Sequence, residues 1–244
     1  GMKKRSFLLV LVFVVSLFIF TGCLQMQPEP QPEPQPGLKL DGIAKAKYDF
    51  VTGAAQEATI TGIVLCINGS NVILQDATTG ILVFDSKFSS TTGAKVGDKI
   101  TLSGTPVYYF NDIEYKYNTV NYGATETTTE KLTPKKLDIA LDNSWLVVAN
   151  SSGVVSATTS NATNLSLWLY KYVTVEGTTT ITGTKNFTVE YETADGTATL
   201  AGYYKTGTLT AHASAPATVT GYLAGYNDEW QLNVWDPSNI QYDN

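Results

Sequence analysis

From Ala58 onward the chain alternates apolar and polar residues in short runs rich in Thr, Val, Ile and Tyr, broken by Gly, Asn and Asp. That is the pattern of strands joined by tight turns. Ala58–Ile67 alternates and then runs apolar, and Asn68-Gly69 is a hairpin turn signal. Asn71–Asp76 reads as a second strand, Thr79-Gly80 as a turn and Ile81–Phe84 as a third strand. Val96-Gly97-Asp98 then leads into a fourth, Lys99–Gly104, and Asn111-Asp112 turns into a fifth, Ile113–Tyr117.

The second half replays this order. Tyr172–Thr180 stands as the first strand, Asn186–Tyr191 as the second, and Thr197–Ala201, after Asp195-Gly196, as the third. Ala217–Gly221 is the fourth, Asn227-Asp228 the turn and Trp230–Trp235 the fifth. Gly221 follows Gly104 by 117 residues, and Asn227-Asp228 follows Asn111-Asp112 by 116. A period that long means duplicated domains rather than a solenoid. Each first strand carries an internal glycine, Gly62 or Gly177, which permits the bend of a strand that serves both edges of a small closed barrel. Between the copies, Leu132, Leu137, Ile139 and Leu141 after Pro134 are compatible with a short helix plugging a barrel end.

Ahead of the strands the pattern changes. Lys3, Lys4 and Arg5 precede Phe7–Phe20, a run of 14 residues that is apolar except for Ser16. A bilayer span wants about 20 apolar residues, so this length fits the core of a secretion signal, with Gly1 as a tag-removal scar. Thr21-Gly22-Cys23 resembles the bacterial lipobox, with Phe20 where that family usually has leucine. The resemblance implies that Cys23 is diacylated and becomes the first mature residue. The alternative is an uncleaved signal anchor. Gln25–Gly37 repeats Pro-Glu-Pro-Gln, which favours extended polyproline II at about 3.1 Å per residue and would reach roughly 40 Å.

The strand pattern from Thr59 to about Tyr117, with Val72-Ile-Leu-Gln-Asp76 and Val96-Gly-Asp-Lys99 as its clearest parts, resembles OB-fold modules of bacterial surface lipoproteins, usually described as nucleic-acid-binding-like. The second copy lacks the Val-Gly-Asp-Lys segment and has Ala213–Ala217 in its place. The expectation is therefore an all-β chain of two tandem five-stranded OB-fold barrels behind a signal peptide and a Pro-rich linker. Its divisions are 1–22, the tag scar and signal; 23–37, the lipidated cysteine and linker; 38–130, the first module; and 131–244, the second.

Charge narrows the ligand. Without the signal segment no arginine remains, and 13 lysines face 22 acids, a balance of −9. Residues 38–130 carry 7 lysines against 10 acids and residues 131–244 carry 6 against 10. Binding a phosphate backbone needs a basic groove, and a local patch such as Lys87, Lys95 and Lys99 gives scant support for one.

Catalytic chemistry is sparse. His212 is the single histidine, read as a solvated loop residue, and Cys66 lies in an apolar strand as a buried hydrophobe. The paired acids (Asp112 and Glu114, Glu190 and Glu192, Asp228 and Glu229) fit turn tips or a solvated sheet face. No phosphate-binding loop or dinucleotide fingerprint is present. The reading is no enzyme, no cofactor and no metal.

What remains is aromatic. An OB barrel binds across strands two and three, bounded by the one–two and four–five loops. Tyr108, Tyr109 and Phe110 sit in the first copy's four–five connection, Tyr115 follows on its fifth strand, and Tyr222, Tyr226 and Trp230 occupy the second copy's connection. These seven are the candidate ligand-binding residues; Phe84 and Phe187 read as core or cross-strand pairs. Exposed rings stack bases and sugars and hold protein partners alike. The expected partners are a membrane through the lipid and a single-stranded nucleic acid, an oligosaccharide or a protein, bound by a monomer in the cell envelope that faces the periplasm or exterior.

Overall fold

The structure, a computed structural model, describes residues 40–157 and 161–243. The signal, Cys23 and the Pro-rich linker lie outside the described residues. Helix α1 (Gly42–Thr52) leads into β1 (Ala58–Asn68), β2 (Asn71–Gln75) and β3 (Gly80–Phe84). Helix α2 (Phe88–Thr92), β4 (Lys99–Gly104), β5 (Val107–Tyr109), β6 (Asp112–Lys116) and β7 (Val120–Glu126) complete the first copy. The sheet order is β5-β6-β3-β2-β1-β4-β7, with β3 and β6 parallel. β4 and β5 are one OB strand broken at Thr105-Pro106, because proline cannot donate to a ladder.

After β8 (Lys135–Lys136), β9 (Val148–Ala149), β10 (Val155–Ala157) and α3 (Ala162–Trp168) come β11 (Tyr172–Ile181), β12 (Asn186–Thr193) and β13 (Gly196–Tyr204). β14 (His212–Tyr226), β15 (Glu229–Val234) and β16 (Ile240–Tyr242) follow. Here β11-β12-β13-β15-β14 closes back onto β11, with β13 and β15 parallel. This is the OB strand order 1-2-3-5-4-1 in a closed all-β barrel. As expected of a strand that serves two edges, β1 passes from β4 to β2 at Ile63, and β11 pairs with both β14 and β12 from Gly177 on.

Three readings are corrected. Residues 132–141 form no helix; Lys135 and Lys136 pair in parallel with β11, and the Leu137 N–H donates to Thr174 O at 2.9 Å. Pro134 disfavours helical backbone before it, and the extended run lets Leu137 pack into the core. The fourth strand of the second copy is far longer than Ala217–Gly221 and absorbs His212, which is exposed on β14 and stacked on Tyr242 at 3.8 Å. The third strand extends to Tyr204.

The first barrel is filled by Ile60, Val64, Val72, Leu74, Ile81, Val83, Ile100, Leu102 and Tyr115. Cys66, Ile73 and Leu82, in register across β1, β2 and β3, point the other way and join a second cluster with Tyr170, Tyr222, Leu223 and Ala224 of the second copy. The outer face of β2 and β3, where an OB barrel takes its ligand, is covered by the second barrel. Residues 40–244 accordingly form one compact unit.

Polar groups pin this contact. Lys47 lies fully buried on the apolar face of α1 and donates to Thr79 Oγ1 at 3.2 Å, to Gly80 O at 2.8 Å and to Leu169 O. The Gln75 side chain donates to Tyr170 O and accepts from the Tyr172 N–H at 3.2 Å, so its amide stands in for one rung of a ladder between the copies. Burial holds the Lys47 pKa well below its ordinary value.

Candidate functional site

The hairpins joining strands four and five turn in two residues in both copies. Tyr109 pairs with Asp112 around Phe110-Asn111, and Tyr226 pairs with Glu229 around Asn227-Asp228. The equivalent residues are thus Tyr109 and Tyr226, and Asn111 and Asp228, at the same 117-residue offset as Gly104 and Gly221; the offset of 116 read from the Asn-Asp pairs is corrected. Phe110, Asn227 and Asp228 all have φ between 51° and 64°, the left-handed backbone such turns require and which Asn and Asp tolerate best.

The two turn tips touch. Asn111 Nδ2 donates to Asp228 Oδ1 at 2.8 Å, and the Asp228 N–H returns a bond to Asn111 Oδ1 at 3.0 Å. Asn111 also donates to Val147 O at 2.9 Å, and a Cβ on Gly225 would stand 2.4 Å from its own, so backbone and side chain meet closely. Phe110 and Tyr226, each adjacent in sequence to this contact, are 51% and 62% exposed. The Tyr109 ring packs edge-on to Phe110, with centroids 4.8 Å apart and planes at 81°. One seam thereby gathers exposed rings from both copies.

The other candidates lie elsewhere. Tyr108 is half-buried against Phe50 at 4.6 Å. Tyr115, Tyr222 and Trp230 are buried and offer no ring face to a ligand, which corrects their assignment as a binding surface. β14 and β15 continue almost to the turn, so Tyr222 and Trp230 are strand residues rather than loop residues; Tyr222 is covered by the first barrel, and Trp230 Nε1 donates to Asp142 O at 2.8 Å. Tyr115 fills the first barrel.

Acids surround the seam. Lys116 Nζ lies 4.4 Å from the Tyr109 ring centroid and 3.5 Å from Glu114 Oε1, so its charge is met by a buried carboxylate. Asp112 accepts the Tyr170 hydroxyl, and burial pushes its pKa up to about 7, with Glu114 adding to the rise and the Tyr170 bond and Lys205 opposing it. Burial also raises Glu114, against Lys116. Of the lysines read as a basic group, Lys99 is ion-paired to Glu130 at 2.6 Å. A separate ring, Tyr203 on β13, is flanked by Lys205 at 5.3 Å and Lys185 at 5.6 Å. The sequence reading missed Lys47, Gln75 and Tyr203. Lys47 was detectable as a charge in the apolar helical spacing of Ile43 and Phe50, and Gln75 as an amide closing an apolar strand.

Among the described residues no group of three or more His, Cys, Asp or Glu is placed to hold a metal, and no helix is long and apolar enough to cross a membrane. No protein-family profile matches the sequence, and no curated protein matches it. Solved structures do. One described as "Structural mimicry for functional antagonism" is 12% identical at a TM-score of 0.36, covering 78% of this chain and 93% of its own. A murine DNA-binding protein bound to double-stranded DNA is 8% identical at a TM-score of 0.32, covering 72% and 93%. The p204 HINb domain is 13% identical at a TM-score of 0.29, covering 73% and 93%.

Proposed function

We propose that the chain is a non-catalytic binding protein, held outside the cytoplasm by a lipid on Cys23, that takes an uncharged oligosaccharide on the rings of the barrel seam. The observation that carries this reading is the locked pair of turns, which fixes Tyr109, Phe110 and Tyr226 beside Asn111 and Asp228. Rigid rings held by packed turns bind at low entropic cost. Neutral sugar faces stack on such rings, whereas the exposed acids beside them, Asp228 and Glu229, repel a phosphate backbone. The location rests on the signal-like segment, Cys23 and the Pro-rich spacer.

The test is a glycan array probed with the full chain in detergent, beside fluorescence anisotropy with single-stranded DNA. Retention of neutral glycans, weakened about tenfold by Phe110→Ala or Tyr226→Ala, supports the reading. Salt-sensitive DNA binding with no glycan retained overturns it, and turnover of a bound glycan overturns the non-catalytic part.

A second reading, single-stranded nucleic acid, has one observation in its favour: Tyr203 between Lys185 and Lys205, a stacking ring with two cations. It requires that Tyr203→Ala, and not Phe110→Ala, removes DNA binding.

A further inference from the structure

The two barrels differ where strand four passes under the end of strand one. In the second, β14 runs unbroken through Gly221; in the first, β4 stops at Gly104 and resumes as β5 after Thr105-Pro106. Gly104 has φ 150°, and a Cβ there would stand 2.0 Å from Thr119 O, so the chain can break and fold over the following turn only with glycine at this position. The break opens a pocket of about 370 Å3 lined by Glu57, Gly104, Thr105, Asn118, Thr119 and Asn121. It is an open depression rather than an enclosed cavity, with room for one sugar ring.

We propose that this pocket is a second ligand site, specific for a single neutral sugar residue, built into the first barrel alone. It rests on the oligosaccharide reading for the class of ligand and not for the place. The chemistry of the wall is one carboxylate, two carboxamides and two threonine hydroxyls, that of Thr119 already bonded to the Lys116 backbone: acceptors and donors matched to vicinal hydroxyl groups. The side chains of Glu57, Asn118 and Asn121 are exposed and make no hydrogen bond or ion pair within the described residues. With no cation among its lining residues, Glu57 disfavours anions. A single carboxylate falls short of the several charged oxygens a calcium site uses.

The experiment uses the full chain, isotope-labelled in detergent, titrated by NMR with methyl glucoside, methyl galactoside and N-acetylglucosamine, and with glucose 6-phosphate and calcium as controls. At least one neutral sugar is expected to shift the amides of Gly104, Thr105 and residues 118–121, with glucose 6-phosphate weaker. Glu57→Gln and Asn121→Ala, both on exposed side chains, should each weaken that binding about tenfold without changing the fold, while the Phe110→Ala/Tyr226→Ala double variant leaves it intact. No shift at these amides with any neutral sugar, shifts that survive Glu57→Gln and Asn121→Ala, or shifts from calcium alone overturn the pocket. Glycan retention that depends only on Phe110 and Tyr226 also overturns the pocket while the seam reading stands; sugar shifts at the pocket without any array signal from the seam do the reverse.

Discussion

Asn111 and Asp228 hold the same position in two copies of one hairpin, and they hydrogen-bond to each other twice, at 2.8 and 3.0 Å. Asn111 is buried and also holds Val147 O, while Asp228 is exposed, so losing the Asn111 amide leaves a buried carbonyl unsatisfied, at about 1–3 kcal/mol. Asn111→Ala should therefore destabilise the protein by about 2 kcal/mol. A double-mutant cycle with Asp228→Ala, measured by urea denaturation, should give a coupling of about 1 kcal/mol or more. Additive losses would mean that the two turns are independent.

The seam should respond to pH through Asp112. Its folded pKa, about 7, lies above the 3.8 of a free carboxyl, so the folded state binds more protons between those values. Stability then falls as pH rises from about 4 to about 7 and levels off above. Glu114, raised in the same direction, adds to the slope. Asp112→Asn keeps an acceptor for the Tyr170 hydroxyl and removes a carboxyl that burial disfavours. Denaturation midpoints at pH 5 and pH 8 should lie closer together in this variant than in the wild type; an unchanged difference would remove Asp112 as the source.

Because Cys66, Ile73 and Leu82 are buried against the second barrel, the two copies should melt together. Calorimetry should show one cooperative transition for residues 40–244. Lys47→Ala removes the side-chain bond to Gly80 O and leaves Leu169 O and the Thr79 hydroxyl only their mutual bond at 3.3 Å, and should cost about 2 kcal/mol or more. Two separated transitions in the wild type would contradict the shared core.

Alanine at Phe110 or Tyr226 should leave stability within about 0.5 kcal/mol, as for other exposed positions. The loss of ligand affinity should be about 1–3 kcal/mol. Tyr222→Ala, in the core, should instead cost about 3–5 kcal/mol of stability. Equal thermal shifts in all three variants would place the exposed rings in the structural frame.

Local signals determined much of this protein from the sequence. Alternation at period two, glycine and asparagine at turns, and the repeat of Gly104 at Gly221 specify strands, hairpins and duplication, because each depends on neighbours a few residues apart. The seven aromatic residues were legible as candidates, yet Tyr109, Phe110 and Tyr226 look no different in sequence from Tyr115, Tyr222 and Trp230. Only the tertiary structure separates them, since burial depends on which face of one barrel the other covers. The apolar outer face of β1 to β3 reads locally as core, and nothing within it says that its partner arrives about a hundred residues later with Tyr170 and Tyr222. Contact between equivalent turns, the amide bridge of Gln75 and the pocket at the broken fourth strand are long-range packing outcomes, decided when two similar barrels meet face to turn.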